Sequence, residues 1–157
     1  MGYEHLATYL NDHLAGSVVA IELLEHLENY HPDESIKRFA AQLHADVEAD
    51  RDQLKKLMEY LLITESSPRK AAAWFSEKFT ELKLRFDDKV GGALHLFEVL
   101  EALSLGIEGK RSLWMGLQAT KVNVLNYDLL IQRATEQRNR VEELRLKTAT
   151  LALAPTG

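Results

Sequence analysis

The 157 residues include no cysteine. Disulfides, thiolate zinc sites, iron–sulfur clusters and cysteine nucleophiles are therefore excluded. Basic residues are in the minority: 19 Lys and Arg stand against 24 Asp and Glu, a formal net charge of −5. A general nucleic-acid binder needs a basic footprint, so no nucleic-acid partner is expected. No apolar run approaches the roughly 18 residues of a membrane span, and the N-terminus lacks a signal-peptide pattern. A Gly-rich phosphate loop and a Gly-x-Ser-x-Gly elbow are also missing. What remains is a chain 46% apolar and 27% charged, the composition of one globular domain, with the cytoplasm as its expected location.

Only eight Gly and three Pro occur, so each breaker is informative. Between them the apolar residues recur at three- and four-residue spacing, the sign of amphipathic helices. The first helix is expected from Tyr3 to Tyr30, on Leu6, Leu10, Leu14, Ile21 and Leu24. His31-Pro32 is a turn, and the second helix follows over about Asp33–Leu62. Ser66-Ser67-Pro68 breaks the chain, and a shorter helix covers Pro68–Phe86 with Trp74, Phe75 and Phe79. Asp87 to Gly92 turns into a third long helix, about Ala93–Leu117, with Gly116 as its expected stop. The last helix is expected over about Thr120–Lys147 and a loose tail over 149–157, which leaves residues 1–148 as a single helical-bundle domain.

Helices of 25–30 residues span roughly 40 Å and suit a four-helix bundle. The short basic helix between the second and third long ones can carry the chain back along the bundle. The second and third helices then run parallel. That fold is all-α: a ferritin-like four-helix bundle with an extra crossover helix, a five-helix up-down bundle being the alternative.

Two stretches, Tyr9-Leu10-Asn11-Asp12-His13-Leu14-Ala15-Gly16 and Leu105-Gly106-Ile107-Glu108-Gly109-Lys110-Arg111-Ser112-Leu113-Trp114, resemble a group of uncharacterised bacterial proteins assigned to the ferritin-like superfamily. The resemblance extends over most of the chain. It implies the fold and brings no substrate.

A working di-iron centre in such a bundle takes one Glu from each of two helices and a Glu-x-x-His pair from each of the others. The chain has one Glu-x-x-His, Glu28 to His31, beside Pro32 at a helix end. Elsewhere the pattern reads Glu48-x-x-Arg51, Glu108-x-x-Arg111 and Glu142-x-x-Arg145. Arginine stays protonated and does not ligate a metal. The reversed pair His95 and Glu98 is expected at the surface near a helix start. No carboxylate of the first helix points squarely inward. The expected cofactor is accordingly none, with iron or manganese at an atypical site around His13, Asp50 and Glu98/Glu101 as the alternative.

A polar cluster does fall on inward arcs. His13 and Ser17 lie there on the first helix, and Asp50, with Arg51 at its edge, on the second. A hairpin turning at His31-Pro32 sets His13 level with Asp50, so a direct or water-bridged contact is expected. On the third long helix Glu101, Glu108 and Ser112 share a face, with Ser104 and Arg111 beside it. Gly106 and Gly109 leave room for another helix. On the last, Arg133, Gln137 and Arg140 interrupt the apolar stripe, and a turn near residue 118 brings Glu98 and Glu101 level with 133–138. The candidate ligand-binding residues are thus His13, Asp50, Arg51, Glu101, Glu108 and Arg111, in a pocket for a small molecule of unknown identity or in a structural network of paired charges.

The crossover segment is basic (Arg69, Lys70, Lys78, Lys83, Arg85) and aromatic, but its aromatics are expected to cover the bundle rather than a membrane surface. There are second apolar stripes (Val19, Leu23 and Leu27; Leu94, Phe97 and Leu105), of which the crossover helix can cover one, and the other points to a homodimer. The expected function is a non-catalytic binding or structural module. A metal-binding oxidoreductase or metal-storage protein is the alternative.

Overall fold

The computed structural model describes residues 2–66 and 92–155. Among them are four helices and no strand: α1 Glu4–Tyr30, α2 Glu34–Tyr60, α3 Gly92–Ala119 and α4 Tyr127–Leu153. Their 27, 27, 28 and 27 residues give rods of about 40 Å. Together they make an all-α four-helix bundle. None of these helices is long and apolar enough to cross a membrane. The expected crossover helix at Pro68–Phe86 lies outside the described residues.

Packing fixes the helix directions. One apolar cluster joins Leu24 and Leu27 of α1, Ala40 and Leu43 of α2, Leu100 and Leu103 of α3, and Val141 of α4. A second joins Leu10 and Leu14, Leu54 and Leu57, Leu113 and Trp114, and Tyr127 and Leu130. So α1 and α4 run one way, and α2 and α3 both run the other. The end of α2 and the start of α3 lie at opposite ends of the bundle. Each fully buried leucine contributes about 2 kcal/mol of transfer free energy.

Local chemistry sets the boundaries. Asp33 caps α2: its Oδ1 accepts from the Ser35 amide at 2.8 Å and from the Ser35 hydroxyl at 2.7 Å. The far end of α2 closes in a Schellman turn. Ile63 N–H donates to Met58 C=O at 2.8 Å and Leu62 N–H to Glu59 C=O at 3.1 Å. Leu62 takes the left-handed position of that turn, φ 56°, with its side chain 91% exposed. Ile63 folds back onto the second apolar cluster.

The second hairpin differs from the sequence expectation. Gly116 does not stop α3, which continues to Ala119. The reversal comes at Lys121, φ 63°. Residues 120–126 form the turn, pinned by the Tyr127 hydroxyl donating to Val122 C=O at 2.6 Å. Asn126 caps α4, its Oδ1 accepting from Leu129 N–H at 3.2 Å. Val122 and Leu125, read as helical, are turn residues packed on the core's end. At its other end α4 runs past Lys147 to Leu153, into the stretch expected as a tail. The second stripe of α1 is not a free face, because Leu23 and Leu27 are buried in the first apolar cluster. On α3, Leu94 and Leu105 are exposed.

Candidate functional site

A charged layer separates the two apolar clusters. At its centre is Asp50 of α2, 2% exposed and the only buried carboxylate among the described residues. It follows Val47 by three residues and precedes Leu54 by four, so the stripe that buries those side chains also buries it. Its Oδ2 accepts from Lys110 Nζ of α3 and from Gln137 Nε2 of α4, both at 2.8 Å. Lys110 also donates to Gln137 Oε1 at 2.5 Å. The amide orientation follows from chemistry, since an ammonium only donates and a carboxylate only accepts. Arg133 Nη2 lies 3.1 Å from Asp50 Oδ1, at ion-pair distance but off the hydrogen-bond line. One helical turn away, Arg140 of α4 pairs with Asp46 of α2. Burial pushes the Lys110 ammonium below the usual lysine range, and the charge of Asp50 opposes that shift.

The structure does not pair Asp50 with His13. Hydrogen bonds go from Asp50 to α3 and α4, whereas the half-buried His13 ring meets Tyr9 edge-on at 4.7 Å. The reason is directional. Helical side chains lean toward their own N-terminus. In an antiparallel hairpin, two side chains whose Cα atoms are level therefore diverge. His44 of α2 illustrates the offset: it reaches Glu25 and Glu28 of α1, whereas level placement would give Val19. Burial lowers the affinity of His13 for a proton, against the nearby charge of Asp12. Ser17 donates to its own helix, at Leu14 C=O, 2.5 Å away.

The other candidates fall elsewhere. Glu101 and Glu108 line a groove of about 240 Å³ on the α3–α4 face, with Ser104, Arg138, Glu142 and Arg145. Ser104 donates to Glu142 at 2.6 Å, and Arg145 makes two bonds of 2.9 Å to the same carboxylate. Those bonds hold the Glu142 carboxyl below the usual range, the Arg145 contribution being the larger. Arg138 lies 3.6 Å from Glu108. Glu98 and Glu101 are not level with Arg133, because the turn centres about five residues later than a stop at Gly116 would put it. His95, expected at the surface, is 8% exposed.

All three Glu-x-x-Arg sequences form ion pairs on their own helix. Glu108–Arg111 closes at 3.0 Å, Glu142–Arg145 at 2.9 Å and Glu48–Arg51 at 3.9 Å. Each carboxylate therefore has an arginine partner one turn on along its own helix. Glu28, of the lone Glu-x-x-His, bonds His44 Nδ1 at 3.0 Å, while His31 Nδ1 accepts from the Asp33 amide at 3.1 Å. Glu48 and Glu25 approach the other ring nitrogen of His44, at 3.4 and 3.8 Å. Glu28 thus lies on the opposite edge of the imidazole from Glu25 and Glu48. Among the described residues no three His, Asp or Glu side chains form a group that could hold a metal.

The inward position of Lys110 is legible in the sequence: it falls between Ile107 and Trp114 at three- and four-residue spacing on the buried face of α3. The adjacent Arg111, expected among the ligand-binding residues, points to Glu108 instead. No protein-family model, no curated protein and no solved structure matches this chain.

Proposed function

We propose that this chain is a ferritin-like bundle without a di-iron centre, working as a non-catalytic binding or structural module. The parallel course of α2 and α3 supports the ferritin-like part. One observation carries the rest: the buried carboxylate of the core, Asp50, is held by an ammonium, an amide and a guanidinium. Buried charge is tolerated when it is paired and hydrogen-bonded, and here the partners come from two other helices. A divalent cation would have to displace Lys110 beside the fixed positive charge of Arg133.

Metal analysis of the purified protein tests this reading. The expected result is far less than one iron or manganese per chain, and no oxidation of added ferrous iron beyond the buffer rate. Two tightly held metals per chain would replace the proposal with the metal-dependent one. We further propose a cytoplasmic homodimer, supported by the exposed Leu94 and Leu105 on α3. A sedimentation mass of one chain would reject it.

A further inference from the structure

The oxygen atoms around Lys110 Nζ are fixed without help from Lys110. Asp50 and Gln137 are each 2% exposed. Gln137 Nε2 donates to Asp50 Oδ2 at 2.8 Å, which locks the two side chains together across α2 and α4. That bond leaves Gln137 Oε1 and Asp50 Oδ2 both facing the point where Nζ sits, at 2.5 and 2.8 Å. The cation arrives from a third helix, on a flexible four-carbon stem whose side chain is 17% exposed.

These acceptors suit one kind of guest. Distances of this size are those of N–H···O bonds, whereas a transition metal takes oxygen ligands at about 2.0–2.2 Å. Arg133, 3.1 Å from the other Asp50 oxygen, already supplies one positive charge and disfavours a doubly charged ion. A primary ammonium brings a single charge and three N–H donors, of which two are matched here.

We propose that Asp50 and Gln137 form a binding site for a primary ammonium group in the bundle core, filled in cis by Lys110. The site includes the Asp50 of the reading above but does not depend on the ferritin-like assignment. Metal content of the wild-type protein can come out nil whether or not the site takes amines.

Lys110→Ala removes Cγ, Cδ, Cε and Nζ, the skeleton of n-propylammonium. The variant should melt roughly 10 °C below wild type. n-Propylammonium chloride should raise its melting temperature along a saturating curve, well beyond any effect on wild type. Tetramethylammonium, equally charged but without N–H groups, and sodium should not. The double variant Asp50→Asn with Lys110→Ala should not respond to the amine. An equal response to tetramethylammonium, a response to manganese in place of the amine, or no gain over wild type would each overturn the site. Should Lys110→Ala fail to fold, nitrogen-detected NMR of the wild-type protein decides. A slowly exchanging Lys110 ammonium signal supports the site, and one exchanging as fast as surface lysines rejects it.

Discussion

The ammonium of Lys110 and the carboxylate of Asp50 meet at 2.8 Å with the Asp50 side chain only 1% exposed and that of Lys110 17% exposed. Removing Lys110 leaves the buried carboxylate with Gln137 and the off-line Arg133 alone, and removing Asp50 leaves the buried ammonium with Gln137 Oε1 alone. Asp50→Ala and Lys110→Ala should each cost about 3 kcal/mol. The double variant should cost clearly less than the two losses added together. Chemical denaturation of the four proteins measures the coupling. Additive losses below about 0.5 kcal/mol each, the range of surface changes, would show that the pair is not buried in solution.

Leu62 offers a gain. A leucine in the left-handed region costs about 1–2 kcal/mol against a right-handed one, and glycine avoids that cost at the expense of a more flexible unfolded chain. The side chain is 91% exposed, so little packing is lost on removing it. Leu62→Gly should stabilise the protein by about 0.5–1 kcal/mol, read from the urea midpoint. A lower midpoint would mean that the Leu62 side chain makes a contact in solution.

His13 sets a pH dependence. Its folded pKa lies below the ordinary 6.5, chiefly through burial. Above pH 6.5 the imidazole is neutral in both folded and unfolded chains and adds no slope. As the pH falls through 6.5, the unfolded chain takes the proton first, so stability falls. The denaturation midpoint should drop between pH 7 and the folded pKa, by less in His13→Gln. Proton NMR should place the His13 titration below that of an exposed histidine. A midpoint above 6.5 would refute the burial argument.

Glu142 carries the opposite kind of proton linkage. Arg145, then Ser104, hold its carboxyl below the ordinary 4.5. The resulting stabilisation is present above pH 4.5 and is lost as the pH falls through the lowered value. Arg145→Met should return the Glu142 carbon resonance to an ordinary titration, with Ser104→Ala giving a smaller rise. A larger effect of Ser104→Ala than of Arg145→Met would reverse the ranking of the causes.

The helices themselves are legible because apolar spacing marks each, and Asp33 is an N-cap type at the expected start of α2, whereas α4 starts behind the Asn126 cap, about seven residues after the expected Thr120. The polar contacts are less so. Equal Cα height places His13 opposite Asp50, but the lean of helical side chains moves contacts by roughly two turns, as His44 with Glu25 and Glu28 shows. On the second hairpin the glycine expected to terminate α3 lies inside it, which shifts the level of every α3–α4 pair. Gly116 breaks nothing because tertiary packing of Leu113, Trp114 and Leu117 outweighs the roughly 1 kcal/mol that glycine costs a helix. Asp50 stands out in the sequence as a charge flanked by Val47 and Leu54. Its partner Lys110 does not, since lysine is ordinarily a surface residue.

The position of the charged layer, with leucine-rich core above and below it, bears on how the two hairpins can slide. Leucines repeat along all four helices, so a shift of one hairpin past the other by a single turn, 5.4 Å, would still set apolar side chains against apolar side chains. The same shift would carry Asp50 toward Leu103 and Ile107 or toward Leu113 and Trp114, away from Lys110. The leucines supply adhesion that is nearly indifferent to such sliding, and Asp50 with its partners, seconded by the Asp46–Arg140 pair, acts as the notch on an otherwise smooth rail.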